Sequence, residues 1–368
     1  MKISAVAVFV AAVLLASPPL CVAGDGARSP RATSAQDSAS VTSADRFFEF
    51  HSGFWINLHH FLYEQAAIAT AGPRGAPHEA ELATDASQTA GLSEDEEKTW
   101  SDALAYYRKN MLRHDLFSDE DMIAIKNRLE DLEGATSIDR GNLDPGLIAV
   151  LDDVAPIYRA HWWQLHDAAN QTWIKAAMPL VDKNGATLSQ QIAMAFETSW
   201  PDHPLRVDVV AYANFAGSYT TLHPSRITVS SIDGGNQDTY ALEVLFHAAS
   251  VAMMDTVSGI VIRGFAAQKK SPPPGVAEAI LYFTSGFLVK QLYPDYTPYA
   301  DRFQLWVTDE DWKGMRGMLV KDWQPRLEGR LTLDAALSQL AADVGGSLSV
   351  PAPPSIPATP ATPAAPAK

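Results

Sequence analysis

One cysteine, Cys21, stands among 368 residues, which excludes an internal disulfide framework and any Cys-rich zinc or iron–sulfur site. Metal chemistry would have to use histidines and carboxylates. Basic side chains are also scarce: 28 Lys and Arg face 43 Asp and Glu, a formal charge of −15, and no Lys/Arg cluster interrupts the excess. Such a field repels phosphate backbones, so nucleic acid is disfavoured as a main partner unless folding hides a basic patch. No segment after the first residues reaches the roughly 18 consecutive apolar residues of a membrane span. A G-x-S-x-G elbow, a P-loop and a G-x-G-x-x-G following a strand are all missing, which leaves the nucleophile-elbow and nucleotide-binding classes without support.

What remains is material for a core. Hydrophobic residues make up 47% and charged residues 19%, the balance of a folded protein rather than a disordered one. Lys2 precedes the apolar run Ile3 to Ala16, and small residues close at Ala23 before Gly24. This reads as a secretory signal peptide over residues 1–23, placing the mature chain in the periplasm or outside the cell. The rival reading acylates Cys21 as a lipoprotein, but Pro19 and Leu20 stand where small residues belong. Residues 24–45 form a polar leader, and residues 350–368 a Pro/Ala/Thr-rich tail suited to extended coil. Between them, residues 46–349 show no repeat and no clear linker, and are read as one domain.

Helix signals dominate that domain. Ser93 and Glu96 form a capping-box pattern ahead of Trp100, Leu104 and Met111. Ser118 opens an acidic first turn, and Asp144-Pro145 supplies an N-cap followed by proline. A long helical stretch runs through Tyr158, Trp162, His166 and Trp173. Leu205 to Tyr212 and Arg226 to Ser231 read as strands joined by a polar turn region with Gly217 and Pro224. Helix returns over Thr239–Val257 and Val276–Leu292. The expected fold class is α+β, predominantly helical with a small antiparallel sheet.

The stretch Ser230 to Met253 is the most informative. It carries a strand end, the turn Asp233-Gly234-Gly235-Asn236, an Asp238/Thr239 helix start and a helix with Leu242, Glu243, Leu245, Phe246 and His247. This resembles the strand-then-helix setting of zincin metallopeptidases, whose helix bears H-E-x-x-H. Two histidines at i and i+4 share a helical face and bind one zinc, and the glutamate polarises its water. More narrowly, the chain resembles exported bacterial gluzincin-like proteins in which a helix of the type A-L-E-x-L-F-H-E-A-S-H follows a strand like I-T-I-S-S. The likeness extends over residues 46–345 and is closest from Ile227 to Met253. It implies a zincin-like fold, with His247 as first ligand, Ala248 in the glutamate position and Val251 in the second histidine position. It also places Phe287 where a third, glutamate ligand would stand. Glu278 lies nine residues earlier, ~900° around a helix and so opposite Phe287.

One of three ligands does not make a catalytic zinc site. The resemblance therefore implies a metallopeptidase homologue without peptidase chemistry: no catalytic residue, no metal, no cofactor. Its former cleft, roofed by Arg226 to Ser231, would take a peptide or protein segment. Glu243, His161, His166, Ser230 and Ser231 are the cleft candidates. Two other readings stay open: an active hydrolase using another metal or acid/base constellation, in which case zinc returns, and a structural envelope protein. Each histidine also has a plainer reading. His247 on an apolar helix is more often a satisfied core residue, and Glu243 could simply pair with it. His161 and His166 stand ~140° apart on a helix, a poor geometry for one ion. His59 and His60 lie in an aromatic segment more suited to a core, although His51 and His59 could share a cleft. His78-Glu79 starts like a zinc motif but lacks its second histidine.

Overall fold

In a computed structural model of the chain the described residues are 46–71, 91–138, 143–214, 216–343 and 346–347. The expected signal peptide with Cys21, the expected leader and tail, and His78-Glu79 lie outside them.

The main sheet has the strands β1 (Phe48–His51), β2 (Leu205–Val210), β3 (Ser218–Thr221) and β4 (Arg226–Ser230), in the spatial order β1-β2-β4-β3, and a separate antiparallel pair joins Lys270–Ser271 to Gly346–Ser347. β1 and β2 run parallel with Phe48 opposite Leu205, β2 and β4 run parallel with Val207 opposite Ile227, and β3 runs antiparallel to β4 with Tyr219 opposite Thr228. The sheet is therefore mixed, which corrects the expected antiparallel one. Two unread strands explain the difference. Phe48 to His51 pairs as β1 ahead of the first helix, and part of the turn region between β2 and β4 is β3. With β3 returning the chain, β2 and β4 must point the same way.

Helices surround this sheet. On the N-terminal side are α1 (Phe54–Ala71), α2 (Glu94–Asn110), α3 (Glu120–Asp131) and α4 (Pro145–His161). The Ser93/Glu96 capping box and the Asp144 cap form as the sequence implies, whereas α3 is capped by Asp119 rather than Ser118. The chain breaks at Trp162 and continues as α5 (Trp163–Ala195), 33 residues and so ~50 Å long. Then come α6 (Thr239–Val251), α7 (Met254–Ala267) and α8 (Val276–Leu292). Short helical turns and a final helix, Leu333–Asp343, complete the chain.

Strand alternation sorts the core into two parts. Leu205, Val207, Val209, Ile227 and Val229 face the larger cluster, built from the second half of α5, α6 to α8 and the C-terminal helices. The smaller cluster holds α1, α2 and α4 with Val210, Ala211, Tyr212 and Tyr219. α5 is the spine between them: His166, near its start, meets Phe61 and Tyr212, while Trp173 onward belongs to the larger cluster. On the sheet face turned to α3, Arg206 and Asp208 pair at 2.7 Å, and Arg226 reaches Glu130 at 3.0 Å. Among the described residues no single helix is long and apolar enough to cross a bilayer; α6 and α7 pass together only across a 72° bend.

Candidate functional site

α6 is buried around its whole circumference from Ala241 to Ser250. A helix apolar on every side belongs in an interior, and Leu242, Leu245 and Phe246, all fully buried, each contribute on the order of 1.5–3 kcal/mol by leaving water. Asp238 precedes the helix at φ 52°, and its side chain makes no cap bond. The helix also stops at Val251, short of the expected Val257, where Ala252 and Met253 turn the chain into α7. It packs on α5, α8 and β3. Thr220 of β3 donates its hydroxyl to the Ala248 carbonyl at 2.9 Å, which ties the edge of the sheet to the turn that resembles H-E-x-x-H.

α8 presents Glu278, Tyr282 and Gly286 at four-residue intervals, hence on one face. Tyr282 lays its ring on the His247 imidazole, centroids 3.5 Å apart and planes 30° apart. Gly286 faces Glu243, where a Cβ would come within 3.0 Å of Oε1. Glu278 stands one turn before Tyr282. Its side chain reaches solvent yet is closely surrounded, and that crowding, with Asp309 and Asp311 nearby, pushes its carboxyl up to about 7. Phe287 is off this face, stacked on Phe283 at 6.2 Å and packed on the core. The nine-residue offset between Glu278 and Phe287 holds, but it is Glu278 that shares a face with the partner of His247. The signal for this was Gly286, a small residue at a close helix approach, read back in steps of four.

His247 is 7% exposed, its Nδ1 meets no hydrogen-bond partner, and burial pushes it down to about 3. It does not pair with Glu243. That carboxylate accepts from the Tyr296 hydroxyl at 2.5 Å and the Tyr299 N–H at 3.0 Å, both on Oε2, and Oε1 has no partner. Burial pushes Glu243 up to about 7 despite those two donors.

The other candidates sit elsewhere. His161 meets Glu96 at 3.2 Å and His166 meets the Tyr158 hydroxyl at 2.8 Å, both around the α4–α5 junction. His51 pairs with Glu133, His59 with Tyr107 and His60 with Tyr219, so His51 and His59 do not share a cleft. Ser230 donates to the Ala211 carbonyl and Ser231 to Asn170 Oδ1, each at 2.6 Å. Ser231 and Gln237 line an open hollow of about 350 Å³ against Thr172, Trp173 and three alanines of α5. β4 lies between β2 and β3, so Arg226 to Ser231 offer no free edge as a cleft roof; the free edge on that side is β3.

A zinc ion, as the resemblance implies, does not fit the residues present. A catalytic site takes three protein ligands and an open position. Ala248 and Val251 carry no donor atom, Tyr282 covers the imidazole, and among the described residues no three His, Cys, Asp or Glu side chains are grouped to hold one ion. Searches with the chain match no family model, no curated protein and no solved structure.

Proposed function

We propose that the chain is an exported, zincin-like protein whose site is catalytically silent and whose cleft, along the free edge of β3 above α6, takes an extended peptide or protein segment. The observation that supports this reading is the ring of Tyr282 on His247, with Ala248 and Val251 carrying no donor atom: aromatic packing covers the one candidate ligand of the helix. An edge strand supports the binding half, because its outward N–H and C=O groups are a template for another strand. Ser218 and Thr220 on β3 are half-buried, which leaves room for a ligand's side chains.

Metal content tests the silent half. The mature protein, purified from zinc-supplemented cells, should carry far less than one zinc per chain, and His247→Ala should leave that value unchanged. Stoichiometric zinc that disappears with His247→Ala would overturn the reading.

A further inference from the structure

Between α8 and the helical turn at Leu305, residues 293–303 cross the α6–α8 pair and bond repeatedly to α6, while the Tyr293 hydroxyl accepts from Asn184 of α5 at 3.0 Å and Asp301 pairs with Arg316. Tyr296 and Tyr299 both bind Oε2 of Glu243. Tyr240 of α6 donates its hydroxyl to the Thr297 carbonyl at 3.1 Å and takes the Arg302 guanidinium over its ring at 4.9 Å. Lys290 ties the Tyr296 carbonyl back to α8 at 2.7 Å, and the Tyr299 hydroxyl reaches the Ala216 carbonyl beside β3 at 3.2 Å. The Tyr299 ring stands 6.3 Å from that of Tyr282, the side chain that covers His247. The segment thus bridges α8, α6 and the β3 end of the sheet across the site.

Its fastening is unlike the packing around it. A buried carboxylate needs partners for both oxygens and a compensating cation to be comfortable. Glu243 has both donors on one oxygen, none on the other, and the charged groups nearest it are acidic or engaged elsewhere: Asp301 raises it, and Arg302 lies on Tyr240. An apolar side chain would hold the segment down at lower cost. The ends of the segment lie outside regular helix: Tyr293 closes α8 at φ −132°, ψ 86°, and Gln304 takes a left-handed φ of 56°. Two such points can absorb a rotation without disturbing the helices between them.

We propose that residues 293–303 are a strap over the His247–Tyr282 site, that Glu243 is its catch, and that release of the Tyr296 and Tyr299 bonds swings the strap away and opens the cleft from β3 to α8. This regulation rests on the functional reading above for the identity of the cleft. The catch itself is independent of any metal.

Hydrogen–deuterium exchange of the full mature chain tests it, with Tyr296→Phe and Glu243→Gln as variants. Tyr296→Phe keeps the ring and removes one bond to a charged acceptor, so exchange across residues 293–303 should rise roughly 10- to 100-fold. Exchange within α6 and α8 should stay unchanged, and His247 should become reactive to diethyl pyrocarbonate in step with the strap. Glu243→Gln keeps an acceptor but removes its charge, and should give a smaller rise in the same segment. Three results overturn the proposal: strap exchange that does not move in either variant, a rise shared equally by α6 and α8, or a strap that loosens while His247 stays protected. Zinc in the wild-type protein would sink the silent-site reading and leave these exchange results standing, so the two failures are distinguishable.

Discussion

Lys126→Met should strand a carboxylate in the core beneath the sheet. Lys126 is 1% exposed and Glu130 fully buried, with Nζ 2.6 Å from Oε1. Arg226 holds the other carboxylate oxygen at 3.0 Å, and Lys126 also donates to Thr221 Oγ1 at 3.2 Å. The network therefore braces the edge strand β3 from below. Removing one partner of a buried pair costs about 3–5 kcal/mol, and because Arg226 still holds Oε2 the loss of Lys126 belongs at the lower end of that range. Set against a total stability of about 5–15 kcal/mol, the loss is a fifth or more. Lys126→Met with Glu130→Leu removes the stranded charge and should cost at least ~2 kcal/mol less than the two single changes added together. Burial already raises the Glu130 carboxyl, while Lys126 opposes that rise. Without Lys126 the folded protein takes up a proton that the unfolded chain releases, so the penalty should shrink as pH falls from 8 towards 5. Urea denaturation followed by tryptophan fluorescence at both pH values measures all of this. Additive single changes, or a cost that does not vary with pH, would refute the reasoning.

Two further outcomes follow from the site. His247 is pushed down to about 3 by burial, so its imidazole NMR shifts should not titrate between pH 8 and 5; a midpoint near 6.5 would show that the ring is open to water. A Cβ at Gly286 would lie 2.8 Å from Pro298 Cβ and 3.0 Å from Glu243 Oε1, so Gly286→Ala should destabilise by about 1–3 kcal/mol through overpacking. Gly234→Ala, where a Cβ meets nothing within 4 Å, serves as the near-neutral control in the same melting experiment.

Much of the fold was legible because its signals are local. The Ser93 box, the Asp144-Pro145 cap and the full span of α8 depend on a few adjacent residues, and each forms as its sequence pattern implies. What was not legible depends on residues far apart. Phe48-Glu49-Phe50-His51 has a strand's alternation, but only pairing with Leu205–Asp208, across the five described helices α1 to α5, decides it. The direction of β4 relative to β2 was hidden because β3 is four short, partly polar residues. The site shows the same division. His247, Ala248 and Val251 can be placed from a motif, whereas their partner across the helix pair cannot. Counting from a Thr/Ser-x-Gly pattern led to Phe287, whereas the side chain that meets His247 of α6 is Tyr282, one turn before Gly286. The pairing of Glu243 with Tyr296 rather than His247 was equally out of reach, because a strap from outside the motif supplies the partners.

The central claim, proposed above, is that a zincin-like site keeps His247 and lacks zinc chemistry because Ala248 and Val251 stand in the base and second-ligand positions. Calorimetric titration of zinc into the wild-type protein and into Ala248→Glu/Val251→His tests it most directly. The account predicts no stoichiometric binding by the wild-type protein and zinc binding that appears in the double variant. Stoichiometric zinc in the wild-type protein, or a double variant that binds zinc no better than the wild type, would contradict the account.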